Sequence, residues 1–214
     1  LKQSSATWLN SRPAGQRADP PLSAVSRIGR GFTHDLTGKL ICPIEFDWDN
    51  RMTREAIRSK NLNVSNSFFI RAFYRNEEGN PLDIEHGFLR STLLIQTWRQ
   101  CFLSNGEIEG ELGAGSSDDN NDSAPAPTPA HKRAKNSTKL FIAAILDLKT
   151  VPPRSIAYVC VMLRFALSPV TTWGSDGTFN YEGLYNTIVD YFEQVKPGSR
   201  GDKHVKELLS WWTT

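Results

Sequence analysis

The chain has 214 residues, enough for one domain with appendages, and its 39% hydrophobic share is low for a fully packed globule of that length. Its formal net charge of +2 is nearly balanced, which excludes a global field that would single out nucleic acid or a membrane surface as the partner. No apolar run reaches the roughly 18 residues that a membrane span needs, and no signal peptide opens the chain.

Three cysteines, Cys42, Cys101 and Cys160, are odd in number, far apart and flanked by apolar neighbours, so they read as reduced buried thiols and an intracellular compartment. Without a C-x-x-C pair, a thiolate zinc site has no ligand source. The start at Leu1 rather than Met leads us to expect a longer product.

Residues 1–28 hold Pro13, Pro20, Pro21 and Gly15, with five basic residues by position 30 against Asp19 alone, and few large apolar groups. They read as a flexible basic arm, with too little apolar surface to offset their own ordering entropy. From Gly31 to Asn50 large apolar residues alternate with short polar ones and glycines, the pattern of a long ordered loop that the helices downstream must cover. Asp49 or Asn50 caps a short helix from Met52 to Lys60, with Met52, Ala56 and Ile57 inward and Arg51, Arg54 and Arg58 on the outer face. Val64 to Tyr74 has helical spacing, and Ile84 to Leu103 is the longest periodic segment, with a broad apolar face.

Between 104 and 137 an acidic block, a Ser-Ala-Pro-Ala-Pro-Thr-Pro block and the basic run Lys132, Arg133, Lys135 follow in series, the composition of a disordered insertion. Leu140 to Leu148 is apolar nearly all round and is read as a helix. Pro152-Pro153 opens a helix that Ser168-Pro169 stops, which we place at the centre of the fold. Tyr181, Leu184, Tyr185, Ile188, Phe192 and Val195 form a three-four-seven repeat, ended by Pro197-Gly198. Asp202 caps a last helix with Val205, Leu208, Leu209 and Trp212 inward.

The sharpest catalytic pattern is His34, Asp35, Glu45, Asp47 and Asp49 within sixteen residues. An EF-hand starting at Asp47 fails at Arg51, Met52 and Arg58, and no nucleophile motif, phosphate loop or dinucleotide pattern occurs. The plainer reading gives Asp35 and Thr37 to turn hydrogen bonds, Asp49 to a helix cap, and Glu45 or Asp47 to an arginine. No catalytic residue, metal ligand or cofactor is therefore assigned. His86, His131 and His204 read as surface or capping histidines. Arg51, Arg54 and Arg58 are candidates for nucleic-acid contact, set against an ordinary solvated face, and Lys132, Arg133 and Lys135 are a candidate nuclear-import segment.

The blocks Gly31 to Pro43 with Phe46-Asp47-Trp48-Asp49, Gly87-Phe88-Leu89-Arg90-Ser91, Pro153-Arg154-Ser155-Ile156-Ala157-Tyr158-Val159 with Arg164-Phe165-Ala166-Leu167-Ser168, and Leu208-Leu209-Ser210-Trp211-Trp212 resemble an uncharacterised domain of mushroom-forming (basidiomycete) fungi, present there in many copies. The resemblance covers roughly residues 29–213 and implies no activity, cofactor or site.

The fold class expected is mostly α: a single irregular helical domain, residues 29–213, of about six or seven helices around the long N-terminal loop and interrupted at 104–137. The function expected is a non-catalytic interaction or binding module, intracellular, nuclear or cytoplasmic, with a protein partner. The alternatives are nucleic-acid association through the basic helix face and a metal-dependent hydrolase using His34, Asp35, Glu45 and Asp47.

Overall fold

The computed structural model describes residues 1–103, 150–172 and 179–213. The expected insertion at 104–137, its basic run Lys132, Arg133 and Lys135, and the Leu140 to Leu148 helix lie outside the described residues. Within them are seven α-helices and no strand, so the mostly α expectation holds: α1 (Lys2–Asn10), α2 (Asp35–Ile41), α3 (Arg51–Arg58), α4 (Thr92–Phe102), α5 (Pro153–Leu167), α6 (Tyr181–Glu193) and α7 (Arg200–Thr213).

Helix α5 is the hub, in contact with α1, α2, α4 and α6. Its start is set by proline in the first turn, where the missing N–H has no intrahelical acceptor to lose, and by Ser155, whose hydroxyl donates to Pro152 O at 2.7 Å. Ile156, Ala157, Val159, Cys160, Leu163 and Leu167 are fully buried, so this helix is apolar on nearly every side. Ser91 caps α4 by accepting from Leu93 N, and Asn180 caps α6 by accepting from Gly183 N. Both helices pack on α5, with Trp98 of α4 donating to Ser155 Oγ at 3.0 Å.

Four expectations are corrected. Residues 1–28 are no flexible arm: α1 buries Ala6 and Leu9 in the main core, and the strap after it buries Ala18 and Leu22. Asn10 pins that strap with two hydrogen bonds to the Leu22 backbone, and Arg12 pairs with Glu77. The Gly31–Asn50 stretch is not loop throughout, because His34 caps α2. Val64 to Tyr74 is not a helix. Asn63, Ser65, Asn66 and Ser67 compete locally with helix formation, the chain is extended at Ile70, with Phe69 O accepting from Ile44 N and Arg71 N donating to Cys42 O, and Arg71–Phe73 makes only a short 3₁₀ turn. Finally, the long helix from Ile84 begins only at Thr92, since Gly87 and Leu89 both have positive φ and cannot continue a right-handed turn.

A smaller core of Cys42, Trp48, Ile57 and Val64 sits under α3. Trp48 lies directly on Gly38 of α2, where a Cβ would stand 2.3 Å from the indole, and its ring packs beside Phe32 at 5.9 Å between centroids. This core positions the cavity described next.

Candidate functional site

The described residues line a half-open cavity of about 370 Å³ between the loop entering α2 and the end of α3 on one side and the exit of α5 on the other. Its apolar walls come from Phe32, Ile41, Ile57, Leu62, Val170 and Phe179. Four cationic residues also line it, Arg30, Arg58, Lys60 and Arg164, and among the described residues no lining side chain is acidic. Gly31 makes the wall close: its φ of +76° is the left-handed region that glycine tolerates, and a Cβ there would stand 2.7 Å from Pro169 Cδ.

Arg30 is 1% exposed, yet no carboxylate among the described residues pairs with it. Its terminal nitrogens donate to Ser5 Oγ, Ala166 O, Lys2 O and Ser23 O, at 2.7 to 3.0 Å, while its Nε has no hydrogen-bond partner. Arg27 sits over the Phe165 ring, 3.9 Å from its centroid, and donates to Phe165 O and Thr171 O. The two guanidiniums thus meet the carbonyl end of α5, where the helix dipole favours positive charge. Burial, and for Arg30 also the neighbouring Arg27, pulls both guanidiniums down from the ordinary arginine value. Arg164, 5% exposed, stacks on Phe179 at 4.4 Å.

At the rim, Arg58 donates through Nε to Phe32 O at 2.7 Å and through Nη2 to Asp35 Oδ1 at 2.6 Å, and it leans over Trp48. Lys60 ends α3: its N–H reaches Ile57 O, and its φ of 62° puts a non-glycine residue in the left-handed region at a cost of about 1–2 kcal/mol. Its ammonium has no partner among the described residues.

The remaining sequence candidates are placed as follows. Arg58 reaches the cavity. Arg54 turns back onto Trp48 O and Asp49 O, and Arg51, with a side chain 83% exposed, pairs with Glu55, so the three do not form one unpaired basic face. The metal candidates are separated by their contacts. His34 is 6% exposed; its Nδ1 accepts from Leu36 N and Thr37 N, and its Nε2 hydrogen-bonds Pro20 O at 2.8 Å, which fixes the neutral tautomer with the proton on Nε2. Asp35 is held by Arg58, Asp47 accepts from Asp49 N, Asp49 pairs with Lys39, and Glu45 is exposed. Among the described residues, no group of three or more His, Cys, Asp or Glu could hold a metal.

His86 and His204, read separately from sequence, line one polar cleft between the 83–90 loop and α7. That cleft mixes Arg75, Arg90, Arg200 and Lys203 with Asp83, Glu85 and Glu207, so opposite charges offset one another. All three cysteines are free, with Cys42 and Cys160 buried; burial pushes the Cys42 and Cys101 thiols up to about 11. No helix of the described residues is long and apolar enough to cross a membrane.

No curated protein and no solved structure matches the chain. A family model does, over residues 1–214, and so takes in α1 and the strap that the sequence resemblance left outside the domain. The chain belongs to this family of unknown function, DUF6698.

Proposed function

We propose that the chain is a non-catalytic binding module that takes a small, largely apolar molecule into the cavity between α2, α3 and the exit of α5. The observation that carries this reading is the cavity itself. Its roughly 370 Å³ lies at the lower end of the range for small-molecule sites, and its lining is mostly apolar with a few polar groups, the composition such sites share. The same lining supports the absence of catalysis. No His, Asp, Glu or Cys among the described lining residues offers a general base, and the one serine, Ser168, donates its hydroxyl to Phe165 O. Free, buried thiols fit an intracellular setting. A protein partner is the second reading, favoured by Val25 and Ile28, 84% and 82% exposed on the strap.

The test is a fluorescence titration with the neutral dye N-phenylnaphthylamine. Saturable enhancement at one dye per chain is expected, and Val170→Trp, which fills the cavity from its wall, abolishes it while leaving the melting temperature near the parent's. No saturable enhancement, or undiminished binding by the folded Val170→Trp variant, contradicts the reading.

A further inference from the structure

Resting on the cavity reading above, we infer that the occupant is a singly charged carboxylate with an apolar tail, its head at the Arg58 and Lys60 rim and its tail against Phe32 and Phe179. Three observations bear on the head. First, cationic residues line the cavity from four separate positions in the chain, and no acid among the described residues joins them. A carboxylate at the mouth of such a space meets a one-signed field set against an apolar wall.

Second, the rim is left with about one uncompensated charge. Arg58 and Lys60 supply two positive charges, and Asp35, bound to Arg58 from the solvent side, cancels one. Arg58 uses Nε and Nη2 on Phe32 O and Asp35, which leaves Nη1 uncommitted, and the Lys60 ammonium lining the same cavity is also without a partner among the described residues. Two donors of that kind suit the two oxygens of one carboxylate.

Third, Lys60 occupies a backbone position that favours glycine. Asn76, Glu77 and Leu89 hold positive φ away from the cavity, so what bears on the head is that the residue in this position on the rim carries an ammonium without a partner among the described residues. The same fact provides a clean variant, because Lys60→Gly removes the ammonium while relieving the backbone.

The experiment is displacement of N-phenylnaphthylamine from the full chain by decanoate, decanol and decyl phosphate, with salt held constant. Decanoate is expected to displace the dye at concentrations at least about tenfold below decanol, the ratio that a charge-assisted hydrogen bond confers. Lys60→Gly is expected to weaken decanoate roughly fivefold, leave decanol unchanged, and keep or raise the melting temperature. Equal displacement by decanoate and decanol overturns the head-group assignment while the cavity reading stands, whereas no dye binding by the parent chain overturns both. Tighter binding of decyl phosphate than of decanoate overturns the singly charged head, and unaltered decanoate affinity in folded Lys60→Gly overturns the role of Lys60.

Discussion

Replacing Arg30 by methionine removes a guanidinium from the point where α1, the strap and α5 meet, and its effect can be worked from the four hydrogen bonds it makes. Lys2 O, Ser23 O and Ala166 O each lose a donor, and Ser5 Oγ loses one more. Ala166 O is buried and costs about 1–3 kcal/mol when left without a donor, whereas Lys2 O keeps the Ser5 hydroxyl and Ser23 is exposed, so the gross loss is about 3–6 kcal/mol. Against this, methionine fills most of the volume and no longer carries a charge whose burial is itself unfavourable by several kcal/mol. The balance expected is a net loss of about 1–3 kcal/mol, a sizeable share of the 5–15 kcal/mol by which domains of ordinary size are stable. Urea unfolding followed by tryptophan fluorescence measures it as a lower midpoint at unchanged slope. Arg30→Lys, which keeps the charge but not the fork, should fall between parent and methionine variant. An Arg30→Met midpoint equal to the parent's would refute the reasoning, because it would mean that burial of the cation offsets all four bonds.

Three further outcomes follow from the same contacts. Trp48, 2% exposed and seated on Gly38, should cost about 3–5 kcal/mol when cut to alanine, read as the loss of midpoint in the same urea assay; an unchanged midpoint would remove the smaller core from the account. His34→Ala should cost about 1–2 kcal/mol by uncapping α2, with His34→Asn recovering part of it, since asparagine also caps; equal losses in the two variants would count against the capping role. The Asp202 carboxyl is held below its ordinary value by Lys206 and by the amide of Gly198, so its contribution to stability is present above the usual aspartate range and is lost as pH falls through the depressed folded value. Urea midpoints of parent and Asp202→Asn should therefore converge on acidification and separate near neutrality, and a gap that widens toward acid would reverse the sign.

The helices that could be read from sequence are those with punctuation at both ends. Pro152-Pro153 and Ser168-Pro169 bracket α5, and Asn180 and Pro197-Gly198 bracket α6. In α7 the inward Val205 and Leu208 follow the period, although Ser199 accepts the Asp202 amide while Asp202 itself reaches back to Gly198. Helix α1 was hidden because little apolar periodicity marks it; polar bonds from Arg30 and Asn10 hold it and the strap, and they join residues no local pattern relates. Met52 departs from the inward face expected of it, because α3 turns Ile57 inward and leaves Met52 79% exposed.

The candidate site was legible only at Arg58. Lys60 lies two residues beyond Arg58, whereas Arg30 and Arg164 are brought to them by the packing of the fold, and no spacing rule spans those separations. Two signals were nonetheless available. Arg164 interrupts a helix that is otherwise apolar nearly all round, and Arg30 stands between Gly29 and Gly31 in a stretch with almost no acid to pair it. A charge in either setting has to be buried with neutral acceptors, aromatic faces or a ligand.

The most direct measurement is a heteronuclear NMR titration of the isotopically labelled chain with decanoate. The account predicts saturable amide shifts concentrated at residues 31–33, 57, 58, 60, 62–64, 168 and 170, which line the cavity. Shifts gathered instead around residues 83–90 and α7, or none at concentrations that displace the dye, would contradict it.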